Sequence, residues 1–197
     1  VENLFGRVSE LEIVNNTENI GFARAVNQAA ALETCHGVEF LLILNPDCEF
    51  QPGALRCLLD ALESAPKAGL AGPLVVDRHG QPMRGTFRRF PDPWGGFLTF
   101  SGLWRLGRIF PAFQGVEPTR ELPVGNTEAE AVSGACMLVR KGVFDQAGGM
   151  DEGYGLHCED LDLMYRFRQS GHSSLTPCQR RPDWRSSRTK LRPRPSR

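Results

Sequence analysis

The sequence predicts an α/β domain on a mostly parallel sheet with flanking helices. Three observations carry that expectation. Segments alternate strand, helix, strand, helix, strand between residues 11 and 77. The run "FLLIL" at 40–44 is apolar without a break, which suits a strand covered on both faces. The intervening helical stretches repeat their apolar residues at helical spacing.

Taken in order, "LEIVNN" (11–16) reads as a short strand ended by Asn, and "TENIGF" as the turn after it. "FARAVNQAAALETCHG" (22–37) is a helix with Phe22, Val26, Ala29 and Leu32, joined by Ala25 and Ala30, on one face and Gly37 placed to stop it. "EFLLILN" (39–45) is the buried strand. "PGALRCLLDALES" (52–64) is a second helix, with Pro52 near its start and Leu55, Leu58, Leu59 and Leu62 along one side. "AGLAGPLVVD" (68–77) gives a further strand and turn. The pattern then lapses over 80–127, where Gly, Pro, Arg and aromatic residues crowd around a short helix expected at 98–109. Order returns with a strand at 135–139, a helix begun near Lys141, a Gly-rich turn at 148–155, and the helix "EDLDLMYRFRQSG" closed by Gly171.

The chain of 197 residues suits one domain. Its formal net charge is zero but unevenly spread. Residues 173–197 hold eight of the 23 basic and one of the 23 acidic residues, a net +7, which leaves −7 on residues 1–172. The boundary therefore falls at 172, with a basic Arg/Pro/Ser tail expected to be disordered or read in a shifted frame. An acidic body argues against nucleic acid as a partner. The six cysteines show no CxxC pair and read as reduced thiols of a cytoplasmic protein. No apolar run reaches the roughly 18 residues of a membrane span, and no signal peptide pattern stands at the N-terminus.

Four segments carry candidate chemistry. Asp47 follows "LLILNP" just past the carboxyl end of a strand, where open α/β sheets bind ligands. A divalent cation shared with a phosphate ligand needs only one or two protein carboxylates. The same "NPD" also makes an ordinary turn. In "HCEDLDLMYR", Glu159, Asp160 and Asp162 crowd a helix start. They suit a general base raised toward neutrality by like charges, or simply the helix dipole, with Asp160 as N-cap and Asp162–Arg166 as a surface pair. In "ENIGFARAVNQA", Asn19 and Gly21 precede a helix whose N-terminus favours phosphate, or they cap it and turn the chain. "GGMDEGYG" is a flexible acidic loop near Glu159–Asp160, either shaping a site or only turning.

The ordered set "NIGFARAVNQA", "LLILNPDCEF", "VSGACMLVRKGVFDQAGGMDE" and "EDLDLMYRFRQSG" resembles the family 2 glycosyltransferases of GT-A fold, in the rhamnosyltransferase-like branch. The resemblance covers roughly residues 10–172. It implies transfer of a sugar from a nucleotide-diphosphate donor to the hydroxyl of a saccharide or lipid-linked saccharide, with inversion. Asp47 matches the Asp of the family's DxD-like motif, which holds Mg2+ or Mn2+ against the donor diphosphate, and Asn45 replaces the first Asp. Asp160 matches the general base, with Glu159 as the alternative. Asn19 and Gly21 fall on the donor side, Gly134 and Ala135 near the donor sugar, and Asp151 and Glu152 near the acceptor.

The family's first strand and its "DN(A/S)S"-like segment have no counterpart here, so the chain reads as a fragment lacking the N-terminal strand. Two other readings remain open: an inactive remnant that binds nucleotide sugar, and a nucleotidyltransferase. Residues 84–113, with five Arg against one Asp among Phe and Trp, suit an anionic membrane surface at the inner face of the plasma membrane, or a core-packing insertion with solvated arginines.

Overall fold

The computed structural model of the chain describes residues 12–77, 79, 83, 86–90, 93–103, 105, 126–155 and 157–176. Helix α1 (Phe22–Ala30) opens after Gly21, whose φ of 84° is one that a side chain resists. Ala23 and Ala30 are buried, with Val26 and Asn27 half-buried between them. Of the expected face, Phe22, Val26 and Ala30 meet the core, whereas Ala25 and Ala29 are exposed. The helix also stops early: a 3-10 turn (Glu33–Cys35) replaces its predicted end.

Strand β1 (Phe40–Leu44) leads by way of the 45–48 turn to α2 (Ala54–Ser64), then β2 (Ala68–Ala71). Short β3 (Phe87–Arg88) and α3 (Pro93–Ser101) follow. The helix expected at 98–109 therefore starts earlier, with Pro93 in its first turn, where a missing N–H costs nothing. Residues 106–109 lie outside the described residues. Strands β4 (Thr127–Ala129), β5 (Ala131–Val132) and β6 (Cys136–Arg140) precede α4 (Lys141–Gln146), α5 (Glu159–Gln169) and β7 (Ser173–Thr176).

The main sheet has the order β1-β6-β2-β7-β4, and β3 pairs with β5 in a separate ribbon. Only β2 and β7 run parallel; β1–β6, β2–β6 and β4–β7 are antiparallel. The α/β class holds, but the sheet is mixed rather than mostly parallel. An apolar run reports burial and says nothing about strand direction. Nor is β1 covered on both faces. Ile43 is buried, whereas Leu42 and Leu44 on the other face are each 39% exposed. Residues 12–16 form no strand, and Ile13 and Val14 are exposed. Their β-branched character has no ladder to join among the described residues.

Two apolar clusters cover the two faces of the sheet. One gathers Leu70, Val139, Met164 and Phe167 beneath α1, α4 and α5. The other gathers Leu58, Leu62, Leu138 and Leu175 beneath α2. Gly69 permits the first: a Cβ there would stand 2.8 Å from the Phe167 ring. In α2 the buried set is Ala54, Leu58, Ala61 and Leu62, with Leu55 turned outward.

One boundary moves. Residues 173–176, assigned above to the tail, form β7 between β2 and β4, and Ser174, Leu175 and Thr176 are all buried. A short polar strand of this kind lacks the apolar signature of β1, yet its backbone completes the ladder. Residues 177–197 lie outside the described residues. Placing a charge at the buried end of this strand tests the assignment. Leu175→Asp should destabilise the domain by about 3 kcal/mol or more in urea denaturation. An unchanged midpoint would return residue 175 to the tail.

Candidate active site

Helix α5 sets the site. Its buried residues are Asp160, Leu163, Met164 and Phe167, an i, i+3, i+4, i+7 stripe with a carboxylate at its head. Asp160 is only 8% exposed. Its Oδ2 accepts hydrogen bonds from Arg88 Nη2 and from the Gly134 N–H, both at 3.0 Å. Its Oδ1 accepts from the Leu161 N–H at 2.9 Å. The surroundings of Asp160 are therefore a guanidinium and backbone donors. The like-charged neighbours invoked from the sequence are not what faces it. Asp160 is also not the N-cap; Cys158 is. Glu159 is half-buried, and its Oε2 is buried without a hydrogen-bond partner among the described residues.

Gly134 has a steric role as well. A Cβ on it would lie 2.7 Å from Asp160 Oδ2, so only glycine lets the turn close over the carboxylate. That turn continues into Ala135, whose carbonyl accepts from the Asn45 N–H at 2.9 Å. The 45–48 turn, closed by Cys48 N–H to Asn45 O at 3.1 Å, is thereby fixed beside residues 134–135. Asp47 stands exposed on it. Asn45, Asp47, Gly134, Ala135 and Asp160 thus belong to one connected cluster.

Two thiols lie in the same region. Burial, with Cys48 nearby, pushes Cys136 up to about 12. Burial and the adjacent Asp47 raise Cys48 as well. Both shifts disfavour the thiolate form.

A second cluster holds the loop after α4. Asn27 donates to Met150 O at 2.9 Å and to Glu152 Oε1 at 3.0 Å, and accepts from the Met150 N–H at 2.8 Å. Arg24 pairs with Glu152 at 3.4 Å. Asp151 accepts from the Gly153 N–H at 2.8 Å in a local turn. Arg166 reaches the same loop, donating to Ala147 O at 2.6 Å and Gly149 O at 2.8 Å while bonded to Asp162 at 2.7 Å. The Asp162–Arg166 pair is therefore a clamp and not an idle surface pair. Asn19 accepts from the Gly21 N–H at 3.0 Å, and Gly21 lies close to the Gly155 carbonyl. Asn19 shapes the turn and makes no side-chain cap on α1.

Before α5, His157 and Cys158 both take left-handed backbone, with φ of 73° and 70°. Two consecutive non-glycine residues there are uncommon, and such strain concentrates at functional sites.

Sequence reasoning missed Arg88 and Asn27. Asn27 carried a signal, standing on the apolar stripe of α1 between Ala23 and Ala30. Arg88 carried none, since its stretch has no usable periodicity.

No family model matches the chain. N-acetylglucosaminyl-diphospho-decaprenol L-rhamnosyltransferases from two Mycobacterium tuberculosis strains are each 33% identical to it in an alignment of 181 positions that covers 86% of this chain and 57% of theirs. A low-salt glycan biosynthesis hexosyltransferase of Haloferax volcanii is 28% identical over 141 residues, covering 72% of this chain and 40% of that one. The chain thus spans little more than half the length of the mycobacterial relatives and less than half of the archaeal one. Among solved structures, GalNAc-T7 with UDP, GalNAc and Mn2+ superposes with a TM-score of 0.54 at 16% identity, over 82% of this chain and 30% of that one.

The fold is that of a GT-A glycosyltransferase. The curated relatives it resembles in sequence are a rhamnosyltransferase and a hexosyltransferase.

The Arg88–Asp160 contact should register thermodynamically. In a double-mutant cycle, Arg88→Met and Asp160→Asn should couple by about 1–3 kcal/mol in urea denaturation. Strictly additive effects would show that the pair contributes nothing.

Proposed function

We propose that this chain carries the donor and base machinery of an inverting, metal-dependent glycosyltransferase acting on a lipid-linked saccharide. The observation that carries the reading is the coupling of a buried carboxylate, Asp160, through Gly134 and Ala135 to the exposed Asp47 turn. The two groups have opposite requirements, and the sites differ accordingly. A base is best held rigidly and aimed at one proton. A cation-binding carboxylate shared with a diphosphate is best left open to solvent and ligand.

The residues fit a hard cation. Asp47 offers a solvent-facing carboxylate, the hard oxygen donor such a cation takes. No group of three His, Cys, Asp or Glu assembles among the described residues. A site completed by the donor's own phosphates needs none. Mg2+ or Mn2+, when bound, would supply charge neutralisation for the leaving diphosphate.

The chain's own residues do the rest. The N-terminus of α1, behind Asn19 and Gly21, offers backbone donors to phosphate. Gly134 and Ala135 line the donor sugar, and the Asp151–Glu152 loop lies toward the acceptor. Asp160 takes the proton of the acceptor hydroxyl as its oxygen attacks the anomeric carbon. The bond to the diphosphate breaks on the opposite side of the ring. Arg88 and the Gly134 N–H keep the carboxylate in place throughout. Glu159 is the alternative base.

The names of the mycobacterial relatives point to a diphosphate-linked polyprenol saccharide as acceptor and rhamnose as donor sugar. Such an acceptor would bring the protein to the inner face of the plasma membrane. No described helix is long and apolar enough to cross a membrane.

Asp160→Asn should lower transfer by about 100- to 10,000-fold while leaving donor binding intact. Unchanged turnover would remove Asp160 from the base role. Asp47→Ala should weaken nucleotide-diphosphate binding about tenfold or more in calorimetry with Mn2+, and little without it. Equal losses with and without metal would reject the metal-ligand assignment.

A further inference from the structure

An open cavity of about 260 Å³ lies where α5 turns through Gly171 into β7. It is lined by Arg168, His172, Ser173 and Ser174, and by Glu128 and Glu130, which flank Ala129 at the end of β4. The sheet positions these walls, for Ala129 stands opposite Ser174 in the β4–β7 ladder. The His172 N–H donates to Phe167 O at 2.9 Å and fixes the turn out of α5.

The cavity concentrates hydrogen-bonding capacity that the protein itself leaves unused. Ser174 is only 5% exposed, yet its hydroxyl has no hydrogen-bond partner among the described residues. His172 Nδ1 is buried and equally without one. Glu128 and Arg168 carry opposite charges around the same cavity and do not pair with each other. Elsewhere such side chains find one another, as Arg56 does Asp60 and Lys141 does Asp145. Buried polar groups are normally satisfied, so their convergence on one open space points to a polar ligand.

The set also indicates what that ligand is. Ala129 is the one apolar residue of the lining, so an apolar molecule would bury little there. Glu128 and Glu130 oppose an anion that Arg168 alone would attract. No group of three His, Cys, Asp or Glu stands close enough to hold a metal ion among the described residues. An uncharged molecule rich in hydroxyls fits. It donates to carboxylate oxygens, accepts from the guanidinium, and does either with serine and imidazole. Hydrogen bonds to charged groups are the stronger kind, and a sugar ring makes several at once.

The cavity adjoins the site described above without merging with it. Two residues beyond Arg88, which bonds Asp160, Phe90 donates its N–H to Glu130 at 2.8 Å and places its ring 5.8 Å from the Arg168 guanidinium. Along α5, Arg168 lies about 12 Å from Asp160, too far for a single sugar ring to reach both.

We propose that this cavity is a saccharide-binding site separate from the transfer site, holding an uncharged sugar unit between Glu128 and Arg168. The transferase reading supplies the kind of molecule, a glycan; the binding itself stands without it. The test is to titrate the isotope-labelled chain with L-rhamnose, with N-acetylglucosamine and, for comparison, with glycine and inorganic phosphate, following the backbone amide signals. One of the sugars should shift the amides of residues 128–130 and 172–174 saturably, with a Kd on the order of 1–10 mM, and leave the 45–48 turn unmoved. Glu128→Gln and Arg168→Gln alter exposed residues and should each weaken binding about tenfold. Ser174→Ala removes a hydroxyl without a partner, so it should leave the melting midpoint unchanged and weaken binding about threefold.

The absence of a saturable shift with both sugars would overturn the proposal. So would a shift that is the same in wild type, Glu128→Gln and Arg168→Gln. Saturation by glycine or by phosphate, with neither sugar active, would also overturn it and make the cavity a site for a zwitterion or an anion. Adding nucleotide diphosphate with Mg2+ to the same samples separates this inference from the transferase reading. Sugar shifts at 128–130 without nucleotide shifts at 45–48 support the cavity and count against glycosyl transfer. Nucleotide shifts without sugar shifts overturn the cavity and leave the transfer reading standing.

Discussion

A carboxylate carried below the surface on an otherwise apolar helix stripe is the constraint around which this domain is arranged. Burying the charge of Asp160 beside Leu163, Met164 and Phe167 is tolerable only if donors surround it. Arg88 and the Gly134 N–H are those donors, and each requires something of the fold. Arg88 needs a rigid platform, which the β3–β5 ribbon supplies. Gly134 must lack a side chain. The segment that carries it runs straight from β5 into β6, so the small ribbon, the site turn and the main sheet are one continuous piece of chain. Through Ala135 that piece also fixes the turn bearing Asp47.

The acidic loop at 147–155 is tied down in a different manner. It has no ladder of its own, and side chains from two helices replace one. Asn27 mimics a backbone partner, pairing with both the N–H and the carbonyl of Met150. Arg166 gathers the carbonyls of Ala147 and Gly149 from the other side. Gly149 is pressed so closely on Asn27 that a Cβ would stand 2.6 Å from its amide oxygen. The strained pair His157–Cys158 then turns the chain into α5, and its cost, on the order of 1–3 kcal/mol per residue, is sustained by the packing on either side.

Much of this was legible in the sequence, for reasons specific to each element. The helices α2 and α5 were plain because Leu58, Leu62, Leu163 and Phe167 recur at helical spacing. The turn at 45–48 was plain because Pro and Asp punctuate a long apolar run. Strand direction was not legible, since β1, β2 and β6 are apolar for the same reason whichever way they run. Strand β7 was hidden because two of its residues are serine and its order comes from its neighbours. Arg88 was hidden among other arginines: its role depends on a partner 72 residues away, which no local pattern records. Local sequence left the "EDLD" cluster open between a site and a helix start, and the structure turns Asp160 inward in phase with Leu163, Met164 and Phe167.

The sheet order has a consequence for how the domain assembles. β6 lies between β1 and β2, which precede it by many residues, and β7 inserts between β2 and β4. Neighbouring strands are thus seldom consecutive in the chain, and local hairpins cannot nucleate the sheet. β2 stays without either lateral neighbour until much later segments have been synthesised. Closing such long loops before any ladder forms slows folding. During that interval the apolar edge of β2 is open to the wrong strand. Folding of this segment should therefore lean on chaperones.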